Sequence, residues 1–196
     1  MVIRQGKAAE LRRAVFFDRD GTLNRAFVRD GVSVPPSSLD QFELLPGVGP
    51  ALAELRRAGF CLVVATNQPD VARGTRSRDD VEQMNALLRR QIEVDAVLCC
   101  YHDDRDGCDC RKPAPGMCLA AAERLGIDLS RSFFVGDSWR DMEAGRRAGC
   151  TTILVGLQSS ESRQVVHADF VARDVTEAAS LILTRVREAA RATVRG

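Results

Sequence analysis

Val15-Phe16-Phe17 runs directly into Asp18-Arg19-Asp20-Gly21-Thr22-Leu23, and that junction narrows the folds open to this chain. Three consecutive β-branched or aromatic residues, with no polar alternation, read as a strand covered on both faces. Strands of that kind belong to parallel sheets flanked by helices. Gly21 breaks the run, because glycine accepts the positive φ that a tight turn demands. Asp18 and Asp20 then stand at the carboxyl end of a strand, where open α/β sheets bind ligands. Two carboxylates so close repel unless one is protonated or a cation neutralises them. A magnesium ion among hard oxygen ligands leaves one Asp to attack an electrophile and the other to move a proton. The plain alternative is a solvated turn.

The same punctuation recurs along the chain. Asn24 to Gln41 is polar, contains Asp30-Gly31 and Pro35-Pro36, and reads as a loop or small hairpin over the sheet end. Pro46-Gly47 opens a helix to about Arg57, with Val48, Leu52 and Leu55 on one face and Gly59 as its stop. Phe60 to Ala65 is a second buried strand, ending in Thr66-Asn67-Gln68. Asp79 to Ile92 is helical, with Val81, Met84, Leu87 and Leu88 on one stripe. Asp95 to Cys100 is a strand, followed by a cysteine-rich loop and a helix from Pro115 to Leu125. Ser132 to Val135 is a strand ending in Gly136-Asp137-Ser138, which leads into a helix as far as Gly149. Strands at Thr151 to Val155 and Asp169 to Val171, then a helix from Val175 to about Ala190, complete the pattern.

Regular alternation of this kind predicts an α/β, Rossmann-like three-layer sandwich: a mostly parallel sheet with helices on both faces. We expect one domain over residues 1–196. The segments between motifs are too short to hold a separate cap domain, so the site is open and shaped by loops. Asp18, Asp20, Thr66 and Asp137 all fall at strand carboxyl ends, which places them in one pocket.

Composition excludes several functions. Lys and Arg number 28 against 27 Asp and Glu, for a net charge of +1, so there is no basic field to grip a nucleic-acid backbone. No apolar run approaches the roughly 20 residues that span a bilayer. The polar, basic Met1 to Arg13 lacks the apolar segment of a signal peptide. A monomeric cytoplasmic protein is expected, with neither nucleic acid nor membrane as partner. Seven cysteines are an odd count, which in this setting favours metal binding or buried thiols over disulfides. Cys100, His102, Cys108 and Cys110 supply three thiolates and an imidazole at short spacings, a closed tetrahedral set for Zn²⁺. With no open position the zinc is structural, pinning a loop over 99–112 and placing the Arg111 and Lys112 that follow. Cys99 points to the opposite strand face, while Cys61, Cys118 and Cys150 read as buried small residues.

The remaining polar residues suit phosphate. Thr66 offers a hydroxyl, Asn67 and Gln68 offer amides, and Lys112, stiffened by Pro113, is a point charge for a transferring phosphoryl group. Asp137 faces the pocket as a metal ligand, and Asp141, four residues on, supports the lysine or the metal's water shell.

Asp18-Arg19-Asp20-Gly21-Thr22, Thr66, Lys112, and Gly136-Asp137 with Asp141 together resemble the haloacid dehalogenase superfamily of phosphatases. The resemblance implies that Asp18 is the nucleophile and forms an aspartyl-phosphate. Asp20 then serves as acid and afterwards as base, while Thr66 and Lys112 hold the phosphoryl oxygens. It also implies Mg²⁺ bound by the Asp18 side chain, the Asp20 backbone carbonyl and Asp137. Cys-x-His followed by Cys-Asp-Cys-Arg-Lys-Pro resembles the zinc-loop subgroup of heptose bisphosphate and histidinol-phosphate phosphatases. Val71-Ala72-Arg73-Gly74 and Pro115-Gly116-Met117 favour the heptose side and a small sugar bisphosphate substrate. Asn67, Gln68, Arg111 and Ser138 are then its contacts, with Arg111 on the distal part. This chain has Tyr101 where those enzymes have Pro, Pro69-Asp70 where they have Ser-Gly, and Ser138 where many carry Lys. Histidinol phosphate and a 3′-phosphorylated polynucleotide are alternative substrates, and a non-catalytic phosphate-ester binding module is the alternative class.

Overall fold

The computed structural model describes residues 11–29, 32–156 and 167–194. The first strand, β1 (Ala14–Phe17), lies near the middle of a six-stranded sheet. The chain next forms an antiparallel hairpin, β2 (Phe27–Arg29) with β3 (Val32–Val34). Helix α1 (Val48–Arg57), strand β4 (Cys61–Asn67), helix α2 (Arg78–Gln91) and strand β5 (Ala96–Cys100) follow. The second half runs α3 (Gly116–Leu125), β6 (Phe133–Gly136), α4 (Trp139–Ala148), β7 (Thr151–Val155), β8 (Phe170–Ala172) and α5 (Val175–Val194).

The sheet order is β5-β4-β1-β6-β7-β8, and every pairing in it is parallel. From β1 the chain builds outward through β4 and β5, then returns across the sheet to lay β6 on the other side of β1. The strand order therefore reverses between β1 and β6, and that crevice is where an α/β sheet of this kind takes its ligand.

Alternate residues of each strand divide two apolar cores, as the two-residue period requires. Val15, Phe17, Leu62 and Val64 face a cluster with Leu52 and Leu55 of α1, Met84 and Leu88 of α2, and Ala178 and Ile182 of α5. Ala14, Phe16, Val63 and Phe134 face the opposite cluster, with Cys118 and Ala121 of α3 and Ala144 of α4. Phe16 and Phe134 stack with ring centroids 6.1 Å apart. The three-layer sandwich expected from the alternation is the one observed, and all four β1 residues are fully buried.

The differences from the sequence expectation lie at element ends. Strand β4 runs on to Asn67, two residues past Ala65, because Thr66 and Asn67 continue in register with Cys99 and Cys100 of β5. Asp95 lies just before β5, and its carboxylate accepts from Leu62 N and pairs with Arg12 and Arg56. Pro115 caps α3 from outside, and α5 extends beyond Ala190 to Val194. The Asp30-Gly31 turn and most of the polar loop after β7 lie outside the described residues. Among those described, no helix is long and apolar enough to cross a membrane.

Candidate active site

Lys112 Nζ lies 2.5 Å from Asp18 Oδ1 and 2.5 Å from Asp141 Oδ1, all three residues being buried. Asp137 closes the group: one carboxylate oxygen each from Asp18, Asp137 and Asp141 lies within 4.8 Å of the others. The backbone explains how four charges reach one point. Asp18 N donates to Val135 O at 3.0 Å, so the ends of β1 and β6 are level. Ser138 caps α4, donating from its N and Oγ to Asp141 Oδ2 at 3.0 and 2.5 Å. This capping box fixes Asp141 and leaves its Oδ1 for Lys112. Two glycines give the carboxylates room. A Cβ on Gly21, which has φ +89°, would overlap Asp137 Oδ2, and one on Gly136 would overlap the Asp141 side chain.

The electrostatics follow from burial and crowding. Burial first, then the charges of Asp141 and Asp20, push Asp18 up to about 7 despite Lys112. Asp137 is raised well above the usual carboxylate range by burial and by Asp18 and Asp141. Lys112 is pushed up: burial disfavours its charge, but Asp141 and Asp18 outweigh that. Three carboxylates around one ammonium leave an excess of negative charge that a hard divalent cation relieves. Asp141 uses one oxygen on Lys112 and the other on Ser138, so Asp18 and Asp137 are the side chains with oxygens to offer. The donor set fits Mg²⁺.

Asp20 is held differently. Its Oδ1 accepts from Arg19 Nε at 3.3 Å and Asn24 Nδ2 at 3.0 Å. Its Oδ2 accepts from Arg19 Nη2 at 2.9 Å and Gln68 Nε2 at 2.7 Å. Gln68 Nε2 also donates to Thr66 Oγ1 at 3.0 Å. Asn67 grips the backbone of Lys112 from both sides, donating to its O and accepting from its N, each at 3.0 Å. The two amides expected to meet phosphate thus hold Asp20 and Lys112 here, and Ser138 holds Asp141. Arg19, Asn24 and Asn85 were not singled out from the sequence. Arg19, which stands between Asp18 and Asp20 in the sequence, is fully buried. The sequence signal for Asn85 is a polar residue on the buried stripe of α2, beside Val81, Met84 and Leu88.

The cysteine loop forms its own cluster. Sγ separations are 3.7 Å for Cys100–Cys108, 3.5 Å for Cys108–Cys110 and 3.2 Å for Cys100–Cys110. His102 Nδ1 lies 3.6 Å from Cys100 Sγ and 3.3 Å from Cys110 Sγ. A tetrahedral zinc with Zn–S of about 2.3 Å sets its sulfurs about 3.8 Å apart, so the four residues fit that ion with a slight inward bias. All seven cysteines are unpaired, and Cys61, Cys118 and Cys150 are buried as expected. The loop is tied down on two sides. Asp103 takes a two-pronged bond from Arg73 at 2.9 and 3.0 Å. Tyr101 Oη donates to Glu82 of α2 and its ring lies 4.7 Å beneath the Arg78 guanidinium. Arg111 folds back on the loop, donating from Nε to Asp104 at 2.7 Å.

Comparison with known proteins places this arrangement. The HAD-hydrolase-like family model matches residues 109–178. D-glycero-β-D-manno-heptose-1,7-bisphosphate 7-phosphatase of Pseudomonas aeruginosa is 40% identical over 149 residues, covering 74% of this chain and 81% of that protein. The chain belongs to the haloacid dehalogenase-like hydrolases. The enzyme of the same name from Escherichia coli K12 is 38% identical over 157 residues, covering 72% of this chain and 78% of its own. Among solved structures, D,D-heptose 1,7-bisphosphate phosphatase from B. bronchiseptica, complexed with magnesium and phosphate, superposes with a TM-score of 0.77. It is 33% identical, and the match covers 88% of this haloacid dehalogenase-like chain and 99% of the B. bronchiseptica chain.

Proposed function

We propose that this chain is a Mg²⁺-dependent phosphomonoesterase working through an aspartyl-phosphate on Asp18. Its substrate is D-glycero-D-manno-heptose 1,7-bisphosphate, from which it removes the 7-phosphate. One observation carries the chemistry: the buried Lys112 ammonium, placed 2.5 Å from the Asp18 carboxylate at the point where the strand order reverses. The names of the relatives supply the substrate class.

Asp18 attacks phosphorus while Lys112 and the Thr66 hydroxyl hold the phosphoryl oxygens, charge-assisted contacts that strengthen as the transition state forms. Asp20, having taken a proton from solvent as substrate binds, gives it to the leaving oxygen as the ester bond breaks. It then takes a proton from the water that attacks phosphorus and frees Asp18. Mg²⁺, when bound by the Asp18 and Asp137 side chains and the Asp20 backbone carbonyl, supplies Lewis-acid neutralisation of the phosphoryl charge. Asp141 positions Lys112. Zn²⁺ on Cys100, His102, Cys108 and Cys110 is structural, holding the loop at 99–112 so that Lys112 reaches the sheet edge and Arg111 the distal sugar. Arg111 exchanges Asp104 for the substrate's second phosphate, and Ser138 borders that side of the site. We read the chain as one capless domain over 1–196, monomeric and cytoplasmic.

The test is phosphate release with Mg²⁺ from both anomers of the heptose bisphosphate. A clear preference for the β anomer, the one named in the relatives, supports the reading. Equal, slow release from both anomers and from unrelated phosphate esters counts against the heptose substrate.

A further inference from the structure

We infer that Arg19 and Asn85 form a buried positioning pair that aims the Asp20 carboxylate at the leaving-group oxygen, an inference that rests on the phosphatase reading above. Arg19 has no exposed surface, and Asn85 is only 3% exposed. Arg19 turns the fork of Nε and Nη2 onto the two oxygens of Asp20, and its remaining edge, Nη1, donates to Asn85 Oδ1 at 2.7 Å. A guanidinium is too costly to bury without partners on every edge. Its planar fork also fixes the plane of the carboxylate it grips. Asn85 therefore sets the rotation of Arg19, and Arg19 sets that of Asp20.

Asn85 has no other visible work. It sits on the apolar stripe of α2 between Val81, Met84 and Leu88, where Leu would fill the same place. Among the described residues its side chain makes one hydrogen bond, the one from Arg19. Proton transfer requires the donor oxygen within hydrogen-bond reach of the leaving oxygen, and a misplacement near 1 Å costs about 10²-fold. Asn24 and Gln68 each bond a single oxygen of Asp20, whereas Arg19 spans both. Without the Asn85 carbonyl, Nη1 must find another acceptor, and the fork turns with it.

The experiment compares two leaving groups. A heptose phosphate leaves as an alkoxide that needs the proton from Asp20, whereas p-nitrophenyl phosphate leaves as a stable phenolate that does not. The readout is the ratio of kcat/KM for the two esters, in which the fraction of active enzyme cancels. Asn85→Leu is expected to lower the heptose rate about 10-fold or more while leaving the nitrophenyl rate within about 3-fold. Arg19→Met is expected to widen the gap, and Asn85→Asp, which keeps an acceptor for Nη1, to restore the wild-type ratio. Equal losses on both esters in Asn85→Leu and Arg19→Met overturn the inference and leave the pair a purely structural role. If wild-type enzyme hydrolyses neither ester, the phosphatase reading itself falls and this inference with it.

Discussion

Replacing Lys112 by Met removes the one cation that, among the described residues, is buried among Asp18, Asp137 and Asp141. Lys112 Nζ contacts two carboxylates at 2.5 Å, and at an effective dielectric near 20 each contact has a gross attraction of ~7 kcal/mol. Desolvation of all three groups cancels most of that, so the net loss is about 3–5 kcal/mol, the cost of breaking a buried pair by removing one partner. For a chain of this length each kcal/mol moves Tm by about 2–4 °C, so the variant should melt roughly 6–20 °C lower in metal-free buffer. Turnover should fall at least ~10²-fold, since a preorganised donor to the phosphoryl oxygens is gone. Mg²⁺ binding should survive or tighten, because Asp18 and Asp137 remain and the local charge is more negative. Adding Asp141→Leu should return part of the lost stability, since removing both partners costs less than stranding one. Thermal melts with and without Mg²⁺, beside phosphate release, read all of this. A metal-free melt within about 2 °C of wild type would refute the buried-pair reasoning.

Zinc removal should show how far the loop positions the site. Elemental analysis should find about one zinc per chain, and a strong chelator should abolish turnover in a way that Mg²⁺ alone does not restore. Turnover that survives complete zinc loss would contradict the structural role. Gly21→Ala forces a side chain into a left-handed turn and against the Asp137 carboxylate, so we expect a stability loss of about 1–3 kcal/mol and weaker Mg²⁺ binding. Denaturant melts and calorimetric Mg²⁺ titration check both; unchanged Mg²⁺ affinity would remove Asp137 from the metal site. Asp18 moves from an ordinary 3.8 up to about 7 on folding. Between those values the native state binds more protons than the unfolded one, so metal-free stability falls as pH rises through that window. Asp137, also raised, adds to the fall, and Lys112 stays charged throughout. Metal-free Tm should therefore be lower at pH 7.5 than at pH 5, with Mg²⁺ restoring it at the higher pH; a metal-free Tm that rises instead is the contrary result.

The fold was legible because β1 and β4 are apolar on both faces and each ends at a polar turn. Complete burial of Ala14 to Phe17 requires a sheet covered on both faces. The carboxylate cluster was legible for the same reason: Asp18 and Asp137 sit where buried strands stop. Side-chain partnerships were less so. Asn67 and Gln68 look like phosphate donors by chemistry, and only the register of β4 against β5 brings Asn67 to the Lys112 backbone. Arg19 reads as solvated when it lies one residue from two carboxylates. Its burial depends on α2 crossing above it and presenting Asn85, a contact 66 residues away in sequence. Tyr101, where the resemblance leads one to expect proline, proves to be a tether from the cysteine loop to α2.

The most direct measurement is acid-quenched, single-turnover mass spectrometry of the Mg²⁺-loaded enzyme with the β-heptose bisphosphate. Phosphate is expected on the peptide carrying Asp18, appearing and decaying within one turnover, and absent from Asp18→Asn. Turnover with no phosphorylated peptide at any time point, or an active Asp18→Asn variant, would contradict nucleophilic catalysis by Asp18.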